Sequence, residues 1–347
     1  MLTGIAGAPM RFHQVCIEGV AHVVPTTEVT TSSIEQSISG LYSRLGMRPG
    51  WLETVTGIRA RRFWAPGVKP STVATRAAET LLDETGVARE DVGILVSTSV
   101  CKDYLEPSVA ALVHGNLSLP TTALNFDVGN ACLGFLSGMT VVAQMIELGQ
   151  VDYALVVAGE SSREPVEATV RRLHDPAADM ASFRDNLATL TLGSAGVAML
   201  LSSRRRSRTG HRFLGGLARA ATEYNRLCVG TSTKMTTDAA RLLSEGVALA
   251  ERTWASVHQH VDLRPEVVQE YALHQVGRAN HTRVVNALGL PADRAMPIFS
   301  DHGNVGAAGV PLTLSLGLKR GRIREGDRVG MLGIGSGLNV SMMGIRW

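Results

Sequence analysis

Aromatic side chains are scarce in this chain, at 5%, which leaves few rings to stack on nucleobases. An excess of one charge is missing too. Thirty-four Lys and Arg against 31 Asp and Glu give a formal net charge of +3 over 347 residues, too little to draw the protein to nucleic acid or a membrane surface. The four cysteines, Cys16, Cys101, Cys132 and Cys228, are scattered and form no CxxC pair. Neither a disulfide framework nor a structural zinc site is indicated, and a reducing, cytoplasmic setting is expected. No apolar run approaches the ~18 residues of a membrane-spanning helix, and the N-terminus MLTGIAGAPMRFHQ lacks the basic start and apolar core of a secretion signal.

What the chain does hold is apolar residues, at 45%, and 36 glycines, enough for a large core with tight turns and close backbone approaches. Short Val/Ile/Leu runs at Gly93–Ser97, Tyr153–Ala158, Val197–Leu201, Tyr271–Leu273 and Val329–Ile334 read as buried strands. Helical spacing of apolar residues runs through Ser71–Thr85, Leu133–Leu148, Thr237–His260 and Ala307–Lys319. Alternation of the two predicts a layered α/β fold.

The sharpest break in composition, SSRRRSRTGHR at Ser202–Arg212, divides the chain into residues 1–203 and 204–347. Its charge run reads as a solvated connector before a phosphate grip. The two parts end alike, YALVVAG before TLGSAGVAMLL in the first and RVGMLGIG before SGLNVSMMGI in the second, as an internal duplication would leave them.

Four segments carry chemistry. In NFDVGNACLGFLSG, Cys132 follows a strand at the start of an apolar helix. There the helix dipole lowers a thiol's pKa and free N–H groups can hold an oxyanion, although a small buried cysteine is the plainer reading. In EYALHQVGRANH, His274 sits where a strand gives way to a helix, a position that favours it over His281 and His302. Asn304, in DHGNVGAAGVPLTL, offers an amide that donates without titrating, or an ordinary turn or cap. The GxGxG of LGIGSGLN, Leu332–Asn339, lies between strand-like runs at the C-terminus, the wrong context for a dinucleotide loop, and suits close approach to a reacting carbonyl.

Together NACLGF, ALHQVGRAN and HGNVGAAGVP resemble the Cys, His and Asn motifs of the ketoacyl synthase III branch of thiolase-like enzymes. TSVCKDYLEPS, FDVGNACL, VDYALVVAGE, ATEYNRLC, DHGN and LGIGSGLN resemble one subgroup, the OleA-type thiolases of long-chain olefin and β-lactone biosynthesis. The resemblance implies a duplicated α-β-α-β-α fold with mixed five-stranded sheets. It also implies a non-decarboxylative Claisen condensation of two fatty acyl-CoA molecules, released as a β-keto acid, with acyl-CoA as substrate and no cofactor. On that footing Cys132 is the acylated nucleophile, His274 and Asn304 the enolate hole, and the backbone at Cys132 and Ser336 the oxyanion hole. Glu106, in YLEPS, matches a base that acts in the neighbouring subunit's site, which implies a dimer; by itself it reads as a turn glutamate before Pro107.

Two stretches, VGAAGVP after Asn304 and VGRANH after His274, depart from the subgroup's pattern, so substrate length is expected to differ. His174–Leu190 is an insertion that shapes an acyl channel or, on the slightly preferred reading, a solvated helical excursion. Two other functions compete: a ketosynthase joining carrier-protein-bound chains, with docking near Arg204–Arg208, and a non-catalytic partner in a heterodimer.

Overall fold

The computed structural model describes residues 9–231 and 233–347. Its strands are β1 (Met10–Arg11), β2 (Val15–Val23), β3 (Thr27–Thr30), β4 (Ala60–Phe63), β5 (Val92–Ser97), β6 (Leu124–Asp127), β7 (Tyr153–Glu160), β8 (Ala195–Ser203), β9 (Arg212–Ala220), β10 (Cys228–Gly230), β11 (Met235–Thr237), β12 (Glu270–Leu273), β13 (Arg328–Gly335) and β14 (Asn339–Arg346). Strands β3 with β4, and β10 with β11, form separate two-stranded ribbons.

The remaining ten strands make one sheet in two similar halves. In the first, the order is β6-β5-β7-β8-β2, with β6, β5 and β7 parallel and β8 and β2 antiparallel to their neighbours. In the second, β12 and β13 are parallel, β14 and β9 follow antiparallel, and β1 closes the edge on β9. The run β5-β7-β8-β2 is thus repeated as β12-β13-β14-β9, the duplication that the two similar chain endings suggested. A single register pair, Cys16 with Arg212, joins the halves edge to edge.

Period-two alternation decides which layer each strand residue serves. Along β7, Ala154, Val156 and Ala158 face a central cluster with the helices Gly134–Glu147 and Gly309–Lys319. Tyr153, Leu155 and Val157 face outward onto the helices Pro70–Thr85 and Val109–Asn116. In the second half Val329 and Met331 turn to the central helices, and Leu332 turns to the outer helices Ala239–Val257 and Arg278–Ala287. The result is five layers, helix-sheet-helix-sheet-helix. Every residue of β7 is buried, which is why Tyr153–Gly159 is continuously apolar rather than alternating.

Local signals fix the outer helix over the first half. Pro70 occupies its first position and Gly86, at φ +64°, ends it, the expected asymmetry of helix starts and stops. The helix crosses so close to the sheet that a Cβ at Gly159 would lie 2.0 Å from the Pro70 carbonyl oxygen.

The arginine run after β8 is neutralised locally. Arg205 pairs with Asp152 at 2.7 Å, Arg206 with Asp91 at 3.3 Å, and Arg208 donates to the Thr85 and Gly86 carbonyls at the end of the helix Pro70–Thr85. Residues 174–190 are more than a solvated excursion. A helix at Met180–Asn186 buries Phe183 against Tyr42 and Trp51. Among the described residues no helix is long and apolar enough to cross a membrane.

Candidate active site

Both central helices begin at the same cavity. Cys132 lies in a single 3₁₀ turn, Ala131–Leu133, that feeds the helix Gly134–Glu147. Ala131 has φ +45°, a left-handed conformation unusual for a residue with a side chain, and it turns the chain sharply between β6 and the helix. Asn304 lies just before the second central helix, Gly309–Lys319. His274 directly follows β12, its N–H donating to the Leu332 carbonyl at 2.9 Å. Ser336 lies in the turn between β13 and β14. All four line one cavity of about 910 Å³.

Each polar group is aimed by its surroundings. Asn304 is buried; its N–H donates to Thr191 O at 2.9 Å and its carbonyl accepts from Gly193 N–H at 2.8 Å. Its side-chain Oδ1 accepts from Gly306 N–H at 3.1 Å, which fixes the amide's orientation and leaves Nδ2 as the donor toward the cavity. Both ring nitrogens of His274 are buried and lack a hydrogen-bond partner among the described residues, an orphaned pair of the kind that a ligand completes. His281 instead bonds Ala295 O at 3.0 Å, and His302 is buried away from the cavity wall.

Electrostatics in the cavity run against one expectation. Burial pushes the Cys132 thiol up to about 12, with Cys228 and Glu160 adding in the same direction. A helix N-terminus supplies at most about 2 kcal/mol in favour of the thiolate, whereas a rise from 9 to about 12 corresponds to about 4 kcal/mol against it. Desolvation outweighs the helix dipole. Burial likewise holds His274 down to about 4, so the ring is a neutral hydrogen-bond donor at neutral pH.

Glu160, at the end of β7, escaped the sequence reading although VDYALVVAGE contains it. Its carboxylate accepts from Val100 N–H at 2.9 Å, Cys101 N–H at 3.2 Å and Ala307 N–H at 3.3 Å. It therefore ties the loop after β5 to the turn after Asn304. Burial raises it to about 7 despite these donors. An acid closing a wholly apolar strand at its carboxyl end was the available signal.

Glu106 is not brought into this cavity. It is exposed, between the fully exposed Leu105 and Pro107. Its loop is anchored behind it: Asp103 accepts from Ser71 N–H and Oγ–H, and Lys102 pairs with Asp127 at 2.8 Å. Tyr104 and Leu105 of this loop are exposed, Leu105 at the cavity mouth, as are Leu124 and Phe126 on the edge strand β6.

The cavity wall is largely apolar. Leu242, Leu243, Val284, Leu288 and Met342 line it from the second half, and Val68, Pro70, Pro165, Ala188 and Leu192 from the first. Ala188 falls in the 174–190 stretch, so part of that stretch does shape the channel. Among the described residues no group of three or more His, Cys, Asp or Glu side chains is placed to hold a metal ion.

Comparison with known proteins agrees with this geometry. Residues 126–216 match the 3-oxoacyl-[acyl-carrier-protein] synthase III family model, and residues 259–347 match the model of that family's C-terminal part. An acyl-CoA:acyl-CoA alkyltransferase of Xanthomonas campestris is 41% identical over 97% of this chain and 100% of its own length, and one of Shewanella oneidensis is 36% identical over the same shares. The crystal structure of cerulenin-bound Xanthomonas campestris OleA superposes with a TM-score of 0.95, at 41% identity over 97% of this chain and 98% of that one. A cysteine-to-serine variant of that protein, with bound lauric acid and lauroyl-CoA, gives 0.94 at 40% identity over 97% of this chain and 100% of that one. The glutamate, cysteine and histidine substituted in three further OleA structures are spaced along their chain as Glu106, Cys132 and His274 are along this one. With this identity over nearly its whole length, the chain belongs to the OleA family of acyl-CoA:acyl-CoA alkyltransferases, a ketoacyl synthase III-like branch of the thiolase-fold enzymes.

Proposed function

We propose that the chain joins two fatty acyl-CoA thioesters by a non-decarboxylative Claisen condensation through an acyl-Cys132 intermediate. The observation that carries it is the cavity: a cysteine at one helix start, a partnerless neutral histidine and an oriented amide share a wall that is otherwise apolar.

Cys132 sulfur attacks the first thioester carbonyl; its C–S bond forms, the bond to CoA sulfur breaks, and CoA leaves with the thiol's proton. The N–H groups of Cys132 and Ser336 hold the oxyanion that develops on that carbonyl. The second acyl-CoA loses an α-proton to a carboxylate, and the His274 ring N–H with Asn304 Nδ2 receives the negative charge on its thioester oxygen. The carbanion then attacks the Cys132 thioester, forming the C–C bond and releasing Cys132 sulfur. Water cleaves the remaining CoA thioester to leave a β-keto acid. The roles of these residues, and acyl-CoA as substrate without a further cofactor, are part of the proposal.

The α-proton base in this reading is Glu106 of a second copy. Three features support it: Glu106 is exposed and does not line its own chain's cavity although Leu105 does, its loop is anchored through Asp103 and Lys102, and the edge strand β6, to which Lys102 is tied, exposes Leu124 and Phe126. An exposed strand edge with apolar side chains invites pairing with another chain. The same reading divides the chain into residues 1–203, with the nucleophile and Glu106, and 204–347, with His274 and Asn304. Carrier-protein docking on Arg204–Arg208 is disfavoured, because Arg205, Arg206 and Arg208 are already engaged.

The test is incubation of the purified protein with a medium-chain acyl-CoA, following free CoA and products by mass spectrometry. Wild type yields CoA and a self-condensed β-keto acid or its decarboxylated ketone; Cys132→Ala and Glu106→Ala yield neither. Mixing the two inactive variants under subunit exchange restores one working site per mixed dimer. Failure of the mixture to recover activity would refute donation across the interface, and silence of the wild type would refute the acyl-CoA assignment.

A further inference from the structure

The nucleophile turn and the glycine turn after β13 belong to different halves of the chain, yet a chain of side-chain hydrogen bonds joins them. Asn339 Nδ2 donates to Asn130 Oδ1 at 3.0 Å, and Asn130 Nδ2 donates onward to Ser137 Oγ at 2.9 Å, in the first turn of the helix Gly134–Glu147. Asn130 directly precedes Ala131, whose positive φ must be held in place by its surroundings. Asn339 opens β14 and pairs in register with Gly335 across the turn that contains Ser336. Each amide therefore sits on the segment whose backbone N–H borders the cavity.

Packing closes the same joint. The Leu133 side chain lies over the glycines of β13: a Cβ added at Gly333 would meet it at 2.5 Å, and one at Gly335 at 3.0 Å. Neither the Cys132 nor the Ser336 N–H donates to another group among the described residues. Two free donors from two halves of a duplicated fold have no covalent reason to keep a fixed separation. Oxyanion stabilisation needs one, since donors act only within about 2.7–3.1 Å of the developing charge.

We infer that Asn130 and Asn339 are positioning residues that set the spacing between the Cys132 and Ser336 N–H groups. The inference rests on the acyl-transfer reading above. Neither amide lines the cavity, so neither touches substrate. An amide pair suits the task because it holds the joint without placing a charge beside an anionic transition state.

The experiment separates positioning from bulk stability. Single-turnover acylation of Cys132 by a medium-chain acyl-CoA is compared with its alkylation by iodoacetamide, which forms no oxyanion. In Asn339→Ala and Asn130→Ala, acylation slows by about tenfold to a hundredfold, while alkylation stays within about twofold of wild type. The double variant is no slower than the slower single, because the two amides act as one unit; independent effects would multiply. Asn339→Ser and Asn130→Ser, milder truncations, supply the same comparison if an alanine variant does not fold, with melting temperature as the check. Unchanged acylation, parallel loss of acylation and alkylation, or multiplied effects in the double variant would overturn the inference. A wild type that is alkylated but never acylated by acyl-CoA would overturn the function it rests on, a distinguishable outcome.

Discussion

Gly309 offers a way to move His274, the proposed enolate donor, without unfolding anything. It is the first residue of the helix Gly309–Lys319 and has helical backbone angles, φ −59° and ψ −53°. Replacing it by alanine removes chain entropy from the unfolded state and raises helix propensity, which stabilises the fold by about 0.5–1 kcal/mol. The new Cβ meets only one tight neighbour, His274 Nδ1 at 3.0 Å; the next atoms are its Cε1 at 3.7 Å and Val305 Cγ2 at 4.0 Å. The imidazole has no hydrogen bond to resist displacement, so it yields by a few tenths of an ångström.

Loss of a whole oxyanion donor costs about 10²–10³ in rate, and a 1 Å misplacement roughly 10². A shift of a few tenths therefore costs about threefold to tenfold. In Gly309→Ala the melting temperature is unchanged or higher, the first CoA is released at the wild-type rate, and condensation slows by that factor. The assay pairs a thermal melt with burst and steady-state CoA release. Unchanged condensation in a more stable variant would show that His274's position does not limit the reaction. A joint fall in melting temperature and both rates would show a packing defect and refute the argument.

Three further outcomes follow from the cavity. Burial raises Glu160 from its ordinary 4.5 to about 7, so its contribution to stability is fully present below pH 4.5 and is lost as pH rises through 7. The stability difference between wild type and Glu160→Gln, read by denaturant titration, should shrink by about 3 kcal/mol over that window, and a flat difference would exclude the burial argument. Leu288→Trp narrows the apolar wall of the second half, and each methylene it excludes costs about 0.8 kcal/mol, or roughly fourfold in kcat/KM; equal losses for short and long acyl-CoA would place the alkyl chain elsewhere. With its thiol near 12 and His274 near 4, Cys132 should be alkylated slowly when no acyl-CoA is added, at a rate still rising above pH 9. A plateau from pH 6 upward would reveal a preformed thiolate–imidazolium pair instead.

Much of this was legible in the sequence because the signals were local. The wholly buried β7 wrote itself as a continuous apolar run, and the duplication showed in two similar chain endings that became two halves of equal strand order. His274 was separable from His281 and His302 by its place after a strand. Distance in sequence hid the rest. The upward shift of Cys132 depends on a cavity assembled from both halves, whereas the dipole argument saw only the helix that follows the cysteine. Glu160 draws its three donors from residues 100, 101 and 307, a convergence with no trace in spacing. The Asn339–Asn130 contact spans 209 positions and is equally invisible to any local pattern.

Two of the cavity's titratable groups rest uncharged, while Glu160 on the same wall titrates near neutral pH. Cys132 is held as a thiol and His274 as a neutral ring, and Asn304 cannot titrate. In these forms the three residues bury no uncompensated charge, which would cost several kcal/mol. On the proposed mechanism negative charge develops there first on a thioester oxygen and then on an enolate. In that reading the donors are the His274 ring N–H, the Asn304 amide and the backbone N–H groups of Cys132 and Ser336, all on the cavity wall near two helix starts. Desolvation that disfavours the thiolate in the resting enzyme is the same low-dielectric setting that strengthens those donors once charge appears. The neutral resting thiol and the strength of the proposed donors therefore have a single cause, the burial of Cys132 in a cavity lined from both halves.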